Sequence, residues 1–241
     1  MRGASAERWA EAQHAERSFW DTSTYKVEVF SATLASLAES VTWMQQQLPG
    51  GIPEGDLVEL GIGPMGLGCI HLLARGDMTK LIGVDPLEQK PPSAWPLPEQ
   101  QMSILRAFQS SYEHVVARAE RTDLDGGRFG VAALCNMLDH VQEPAAVLAE
   151  AHRLLRRDGL LFVACDAISL ANQLRIKLYT RRRFADTLFI KAHPFHFRVG
   201  ELMRLVRNGG FRVLATNRRQ PALFYETAGH SYRLLLLAQK A

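Results

Sequence analysis

The sequence is short of cysteine, of net charge and of long apolar runs, and each shortage removes a class of protein. Its three cysteines, Cys69, Cys135 and Cys165, are far apart, and each sits in an apolar stretch. That spacing suits neither a disulfide framework nor a metal site, and it predicts buried, reduced thiols that serve packing. The longest apolar run, Leu234 to Ala238, falls far short of the roughly 20 residues a membrane span needs, so no spanning segment is expected. The formal net charge is only +3, too small to argue for nucleic acid and compatible with a small-molecule substrate. The segment Met1 to Glu16 alternates charged and small residues, so no signal peptide is read and a cytoplasmic location is expected. No repeat or low-complexity tract stands out.

What is present is a globular composition. With 241 residues, of which 47% are apolar and 22% charged, the chain can bury the core of one large α/β domain. The organising stretch is Leu57-Val58-Glu59-Leu60-Gly61-Ile62-Gly63-Pro64-Met65-Gly66. An apolar run ends in an acid, a glycine turn follows, and the segment from Met65 to Arg75 has helical character. The glycines permit backbone angles and close approaches that a Cβ would block, and a helix start after such a turn presents N–H groups to a ligand. Gly61, Gly63 and Gly66 fit G-x-G-x-x-G, which nicotinamide enzymes and methyltransferases share. A second strand, Lys80 to Val84, leads into Asp85, about 20 residues past the glycines, where an acid grips a ribose diol. A nucleoside-bearing cofactor is expected.

Before this stretch, residues 5 to 20 read as a helix with Trp9, Gln13, Glu16 and Trp20 at helical spacing. A second helix carries Val27, Phe30, Leu34, Leu37, Val41, Met44 and Leu48 on one stripe and ends at Pro49-Gly50-Gly51. These N-terminal helices, residues 1–50, either pack on the core or form a lid over the ligand cleft. Residues 51–241 read as the catalytic domain. Strand one is Asp56 to Leu60. Pro86, Pro91, Pro92, Pro96 and Pro98 mark a loop, and a helix follows from Glu99 to Ser110. Strand three is His114 to Ala119 and strand four Phe129 to Cys135. Pro144 opens a helix at its favoured first position, with Val147, Leu148, Ala151, Leu154 and Leu155 on its apolar face and Arg153, Arg156 and Arg157 at its solvated end. Asp158-Gly159 turns into strand five, Leu160 to Cys165. A helical cap is expected over residues 168–198, then a helix Glu201 to Arg207 and two strands, Phe211 to Thr216 and Tyr232 to Ala238. Alternating strands and helices predict a mostly parallel sheet with right-handed crossovers.

The order of these blocks resembles the class I S-adenosylmethionine-dependent methyltransferases, in their small-molecule "type 11" group. The resemblance rests on Val58-Glu59-Leu60-Gly61-Ile62-Gly63, Gly83-Val84-Asp85, Ala119-Glu120, Asn136-Met137-Leu138-Asp139-His140-Val141, and the run from Glu150 to Val163. It implies a Rossmann-like seven-stranded sheet, mostly parallel, with an antiparallel C-terminal hairpin. It also implies S-adenosyl-L-methionine as cofactor and S-adenosyl-L-homocysteine as product. By position Glu59, Gly61 and Gly63 would line the methionine part, Asp85 the ribose, Ala119 and Glu120 the adenine, and Asn136 the sulfonium end. The chain departs from the family pattern at Arg118 and Gly130, where many relatives carry an acid.

Methyl transfer is an in-line displacement, so the protein mainly aligns the nucleophile and excludes water; a hydroxyl acceptor also needs a base. His140 follows strand four and Asp166 ends strand five, at the sheet edge where ligands bind. A His140–Asp166 pair would take a hydroxyl proton, with Asp166 orienting the ring; the competing reading is that His140 packs the loop and Asp166 caps a helix. His193, in His193-Pro194-Phe195-His196-Phe197, is a second base candidate and a wall of the acceptor pocket. His193 and His196 lack an evident third ligand, so no metal is expected. The leading reading is O-methylation of a small acceptor, a sugar or natural-product intermediate. Arg181, Arg182, Arg183, Arg218 and Arg219 would suit an RNA or protein methyltransferase instead. The same glycine turn and acid would also serve a non-catalytic cofactor-binding protein or a nicotinamide oxidoreductase, and a homo-oligomer stays open.

Overall fold

A computed structural model of the chain describes residues 3–22, 26–74, 80–174, 192–219 and 231–241. Two helices come first, α1 (Ala6–Thr22) and α2 (Lys26–Gln46). Strand β1 (Asp56–Leu60), helix α3 (Cys69–Leu73) and strand β2 (Leu81–Asp85) follow, then helix α4 (Glu99–Ser110) and strands β3 (Glu113–Val116) and β4 (Phe129–Cys135). Helix α5 (Pro144–Leu154) leads into β5 (Leu155–Ile168), and the chain closes with α6 (Val199–Asn208), β6 (Phe211–Arg219) and β7 (Ser231–Lys240). The sheet order is β3-β2-β1-β4-β5-β7-β6. Strands β1 to β5 pair in parallel, and β7 lies antiparallel between β5 and β6. This is the mostly parallel sheet with an antiparallel hairpin that the family resemblance implies.

Side chains alternate across each strand, and here both faces are covered. Val58, Leu60, Ala132 and Leu134 face α5 and α6, packing on Val147, Leu148, Leu202 and Val206. Leu57, Val131, Ala133 and Phe162 belong to the opposite layer with Phe30, Val41 and Met44 of α2, Ile70 and Leu73 of α3, and Leu105 of α4. The stripe predicted on α2 is therefore core along most of its length, although Val27 at its start is 37% exposed. No described helix is long and apolar enough to cross a membrane.

Several boundaries differ from the sequence expectation, three of them for a visible local reason. The helix expected from Met65 begins only at Cys69, because residues 63–66 form a turn closed by Gly66 N–H donating to the Gly63 carbonyl at 3.1 Å. Strand β3 stops at Val116, where the chain leaves the edge and Ala117 N–H donates to the Asp85 carbonyl. Strand β5 starts at Leu155 rather than Leu160, with Asp158 at φ 62° carrying the chain through an irregular excursion before regular pairing resumes at Leu160. Gly130 has a physical reason to lack a side chain: a Cβ there would lie 2.7 Å from the Glu54 carbonyl oxygen. Of the expected cap, residues 170–174 are helical. Residues 175–191, with Arg181, Arg182 and Arg183, lie outside the described residues, as do Pro221 and the rest of 220–230.

Candidate active site

A cavity of about 420 Å³ opens at the carboxyl ends of the strands, where neighbouring crossovers leave β1 and β4 in opposite directions and ligands bind in such sheets. Gly63, Asp85, Ala119 and Asn136 line its floor, and Trp9, Gln13, Glu16 and Trp20 of α1 its roof. The spacing seen in the first helix is thus the face it turns toward the cavity.

The glycine turn is built from two demands. Gly63 has φ +75° and nothing within 4 Å of the position a Cβ would take, so the space beside it belongs to the cavity. Gly68, at the start of α3, is needed for contact instead: a Cβ there would lie 2.6 Å from Glu59 Oε2 and 2.7 Å from Ile62 Cδ1. Glu59 itself is 1% exposed, and its Oε2 accepts the Ile70 N–H at 3.2 Å. Burial pushes its carboxyl up to about 7 against the opposing pull of that N–H. The free N–H groups expected at the helix start therefore serve a buried acid of the chain itself.

Asp85 ends β2 and holds the turn. Its Oδ2 accepts Gly63 N–H at 2.8 Å and its Oδ1 accepts Leu87 N–H at 2.9 Å. Burial raises its carboxyl to about 6 while those two bonds oppose the shift. A carboxylate has about four acceptor sites, so a diol can still be received. Ala119 is buried at the cavity wall. Glu120 is turned to other work: its Oε1 accepts Gln142 N–H at 3.0 Å and Glu143 N–H at 3.3 Å, and Arg118 pairs with it at 3.0 Å. Arg118 in turn lies 4.4 Å over the Trp9 ring, so the residue that departs from the family pattern ties α1 to this loop. Asn136 sits at φ 53°, a conformation asparagine tolerates better than most residues, with its N–H on the Ala164 carbonyl at 2.7 Å.

The expected pairing of His140 with Asp166 needs correction. Asp166 lies directly across from Arg233 in the β5/β7 register, and its Oδ1 accepts Arg233 Nε at 3.1 Å. Arg233 also donates to Asn136 Oδ1 at 3.0 Å and to Ser36 Oγ. The acids nearest His140 are Glu16, 3.4 Å from Nδ1, and Asp139, 4.0 Å from Nε2. Neither ring nitrogen makes a hydrogen bond of good geometry among the described residues. Burial disfavours the imidazolium most strongly, yet Glu16, Asp139, Asp166 and the Ala192 backbone together outweigh it and raise the His140 pKa. His193 joins the same wall, its ring centroid 4.2 Å from that of His140 and its Nε2 3.5 Å from Asp139 Oδ2. His196 is half-buried, and its pKa is held down to about 4, by desolvation first and by His193 next.

Two groups bring metal-ligand atoms within 4.8 Å of one another, Asp139 with His140 and His193, and Glu59 with Cys69 and Cys135. Tetrahedral ligands about 2.1 Å from a zinc ion lie roughly 3.4 Å apart; His193 and Asp139, at 3.5 Å, are close to that, whereas His140 and Asp139, at 4.0 Å, are wider. The thiols of the second set lie 3.5 Å apart, and burial drives the Cys69 pKa upward. Cys69 is buried as expected, whereas Cys135 is half-buried and lines the cavity.

Sequence reasoning missed Glu16 as a partner of His140, and also Asp139, Arg233 and Gly68. Glu16 and Asp139 lay in stretches already singled out. Arg233 was visible as a lone charge at the start of an otherwise apolar strand.

A family model described as a methyltransferase domain matches residues 38–216. A search of the curated proteins finds no match. Among solved structures, geranyl diphosphate C-methyltransferase from Streptomyces coelicolor A3(2) superposes with a TM-score of 0.65 at 12% identity, covering 100% of each chain. The 1,6-didemethyltoxoflavin-N1-methyltransferase of Burkholderia thailandensis gives 0.63 at 19% identity, over 99% of this chain and 91% of that one. The cyclase SpnF gives 0.59 at 14% identity, over 83% and 80%. The open space at Gly63, the acid at Asp85 and the cavity above them fit the cofactor of this fold. With the model match spanning most of its length, the chain belongs to the S-adenosylmethionine-dependent class I methyltransferase family.

Proposed function

We propose that this methyltransferase O-methylates a small-molecule acceptor, a sugar or natural-product intermediate, with His140 as the base. The observation that carries the reading is the placement of His140, between Glu16 and Asp139, on the wall of the cavity that also holds Gly63 and Asp85. Bound S-adenosylmethionine supplies an electrophilic methyl group on its sulfonium. Glu59, Gly61 and Gly63 line its methionine part, Asp85 takes the ribose hydroxyls, Ala119 and Glu120 border the adenine, and Asn136 stands at the reacting end. The roof formed by α1 excludes water and aligns the acceptor. His140 takes the hydroxyl proton, and the surrounding carboxylates stabilise the imidazolium that results. His193 lines the acceptor side.

Support for a small acceptor comes from the cavity, whose volume falls in the range of small-ligand sites, and from two structural neighbours named for small molecules. Those neighbours are named as C- and N-methyltransferases, so the hydroxyl reading rests on His140 alone. An RNA or protein acceptor draws only on arginines, of which Arg218 is exposed on β6. The test is transfer from isotopically labelled S-adenosylmethionine into a fractionated extract of the source cells. Label in a small metabolite that resists amine-specific chemistry supports the proposal. Label in RNA or protein refutes it.

A further inference from the structure

The roof of the cavity carries a charge that faces the proposed base. Glu16 is on α1, more than 100 residues from His140 in sequence, and its Oε2 lies 3.4 Å from His140 Nδ1. Its other oxygen is held: Trp20 Nε1 donates to Glu16 Oε1 at 2.8 Å, and the Trp20 ring meets Trp95 edge to face at 5.9 Å. The rest of α1 is tied to the same side of the molecule. Gln13 Nε2 reaches the His140 carbonyl at 3.5 Å, Arg8 Nη2 donates to the His193 carbonyl at 3.0 Å, and Asp21 pairs with Lys90.

We propose that Glu16 is a positioning residue for His140, so that the base reaches full strength only when α1 is docked. This rests on the reading of His140 as the base. The charged and titratable groups around His140 come from every element packed on it. They are Glu16 from α1, Asp85 at the end of β2, Asp139 from the loop after β4, Asp166 at the end of β5 with its partner Arg233 on β7, and His193 before α6. Asp139 divides its two oxygens between His140 and His193, and Asp166 is taken by Arg233. Glu16 is the acid that approaches His140 most closely, and it rides on an element outside the sheet. In the reaction the acceptor oxygen forms its bond to the methyl carbon as the carbon–sulfur bond breaks, and the hydroxyl proton passes to the imidazole. The negative charge of Glu16 favours that protonated ring. Docking of α1 therefore couples closure of the cavity to activation of the acceptor.

The experiment compares wild type with Glu16→Gln, in which the shape is kept and Trp20 retains an acceptor. Histidine resonances are followed by NMR against pH, with His140→Gln used to assign the signal. The pH profile of kcat and the affinity for S-adenosylhomocysteine are measured beside it. The expected result is a lower His140 pKa, an acid limb of kcat moved to lower pH, and a plateau lowered about tenfold, since a weaker base transfers the proton less well. Cofactor affinity should stay within about twofold. A His140 titration unmoved by the substitution overturns the proposal, whatever happens to the rate. A titration that moves while no hydroxyl is methylated leaves the Glu16 contact standing and refutes the functional reading instead.

Discussion

Asp166 and Arg233 stand opposite each other across β5 and β7, joined at 3.1 Å, and through Arg233 they reach Asn136 at the end of β4. The antiparallel hairpin thereby does more than close the sheet: it braces Asn136, which lines the cavity. Both side chains are largely buried, at 8% and 19% exposure. Asp166→Ala leaves the guanidinium without its carboxylate, and breaking a buried pair costs about 3–5 kcal/mol. Denaturant unfolding should show a loss of that order. A loss under about 1 kcal/mol would mean that water replaces the carboxylate.

Glu150 ties α5 to the chain beyond β3. Its Oε1 accepts Thr122 N–H at 2.9 Å and Thr122 Oγ1 at 2.6 Å, and Arg153 pairs with Oε2 at 2.8 Å. Burial opposes the charge most, but these partners together lower its carboxyl to about 2 from an ordinary 4.5. A depressed carboxylate stabilises the fold above its unfolded pKa, and that stability is lost as pH falls from about 4.5 toward 2. The wild type minus Glu150→Gln stability difference should be near 1–3 kcal/mol at pH 7 and shrink through that acid window. A difference that is flat with pH would contradict the assignment.

Gly68 has no room for a methyl group, being crowded by Glu59 and Ile62. Gly68→Ala should destabilise the fold by about 1–3 kcal/mol, the usual range for overpacking. A neutral outcome in thermal unfolding would show that α3 can shift outward freely.

Most of the architecture could be read from the sequence, for a physical reason. The strands are short apolar runs bounded by glycine, proline or acid, and their order alone dictates a parallel sheet. The glycine turn and Asp85 came from the same source, because each stands at a strand end where the backbone leaves the sheet, whereas Asn136 came from the family resemblance. What could not be read depends on register and on docking. Asp166 was matched to His140 because their strands are neighbours, but the register of β7, fixed 67 residues away, brings Arg233 to it instead. Glu120 lines the cavity, but only the placement of the 140s loop shows that its carboxylate accepts the Gln142 N–H. Glu16 stood on a recognised helical face, yet only the docking angle of α1 sends it to His140.

His140→Ala should lower turnover by about 10²-fold or more while affinity for S-adenosylhomocysteine is kept. Full activity in the variant would remove His140 from the chemistry and point to an acceptor that needs no base.

The central claim is that the cavity over the glycine turn is where S-adenosylmethionine binds, held through Asp85. Calorimetric titration with S-adenosylhomocysteine tests it most directly. The account predicts one site per chain, and a loss of about 1–3 kcal/mol in Asp85→Ala, the cost of removing a charged hydrogen-bond partner. Equal affinity in wild type and variant would contradict the ribose role of Asp85, and absence of binding to the wild type would contradict the site itself.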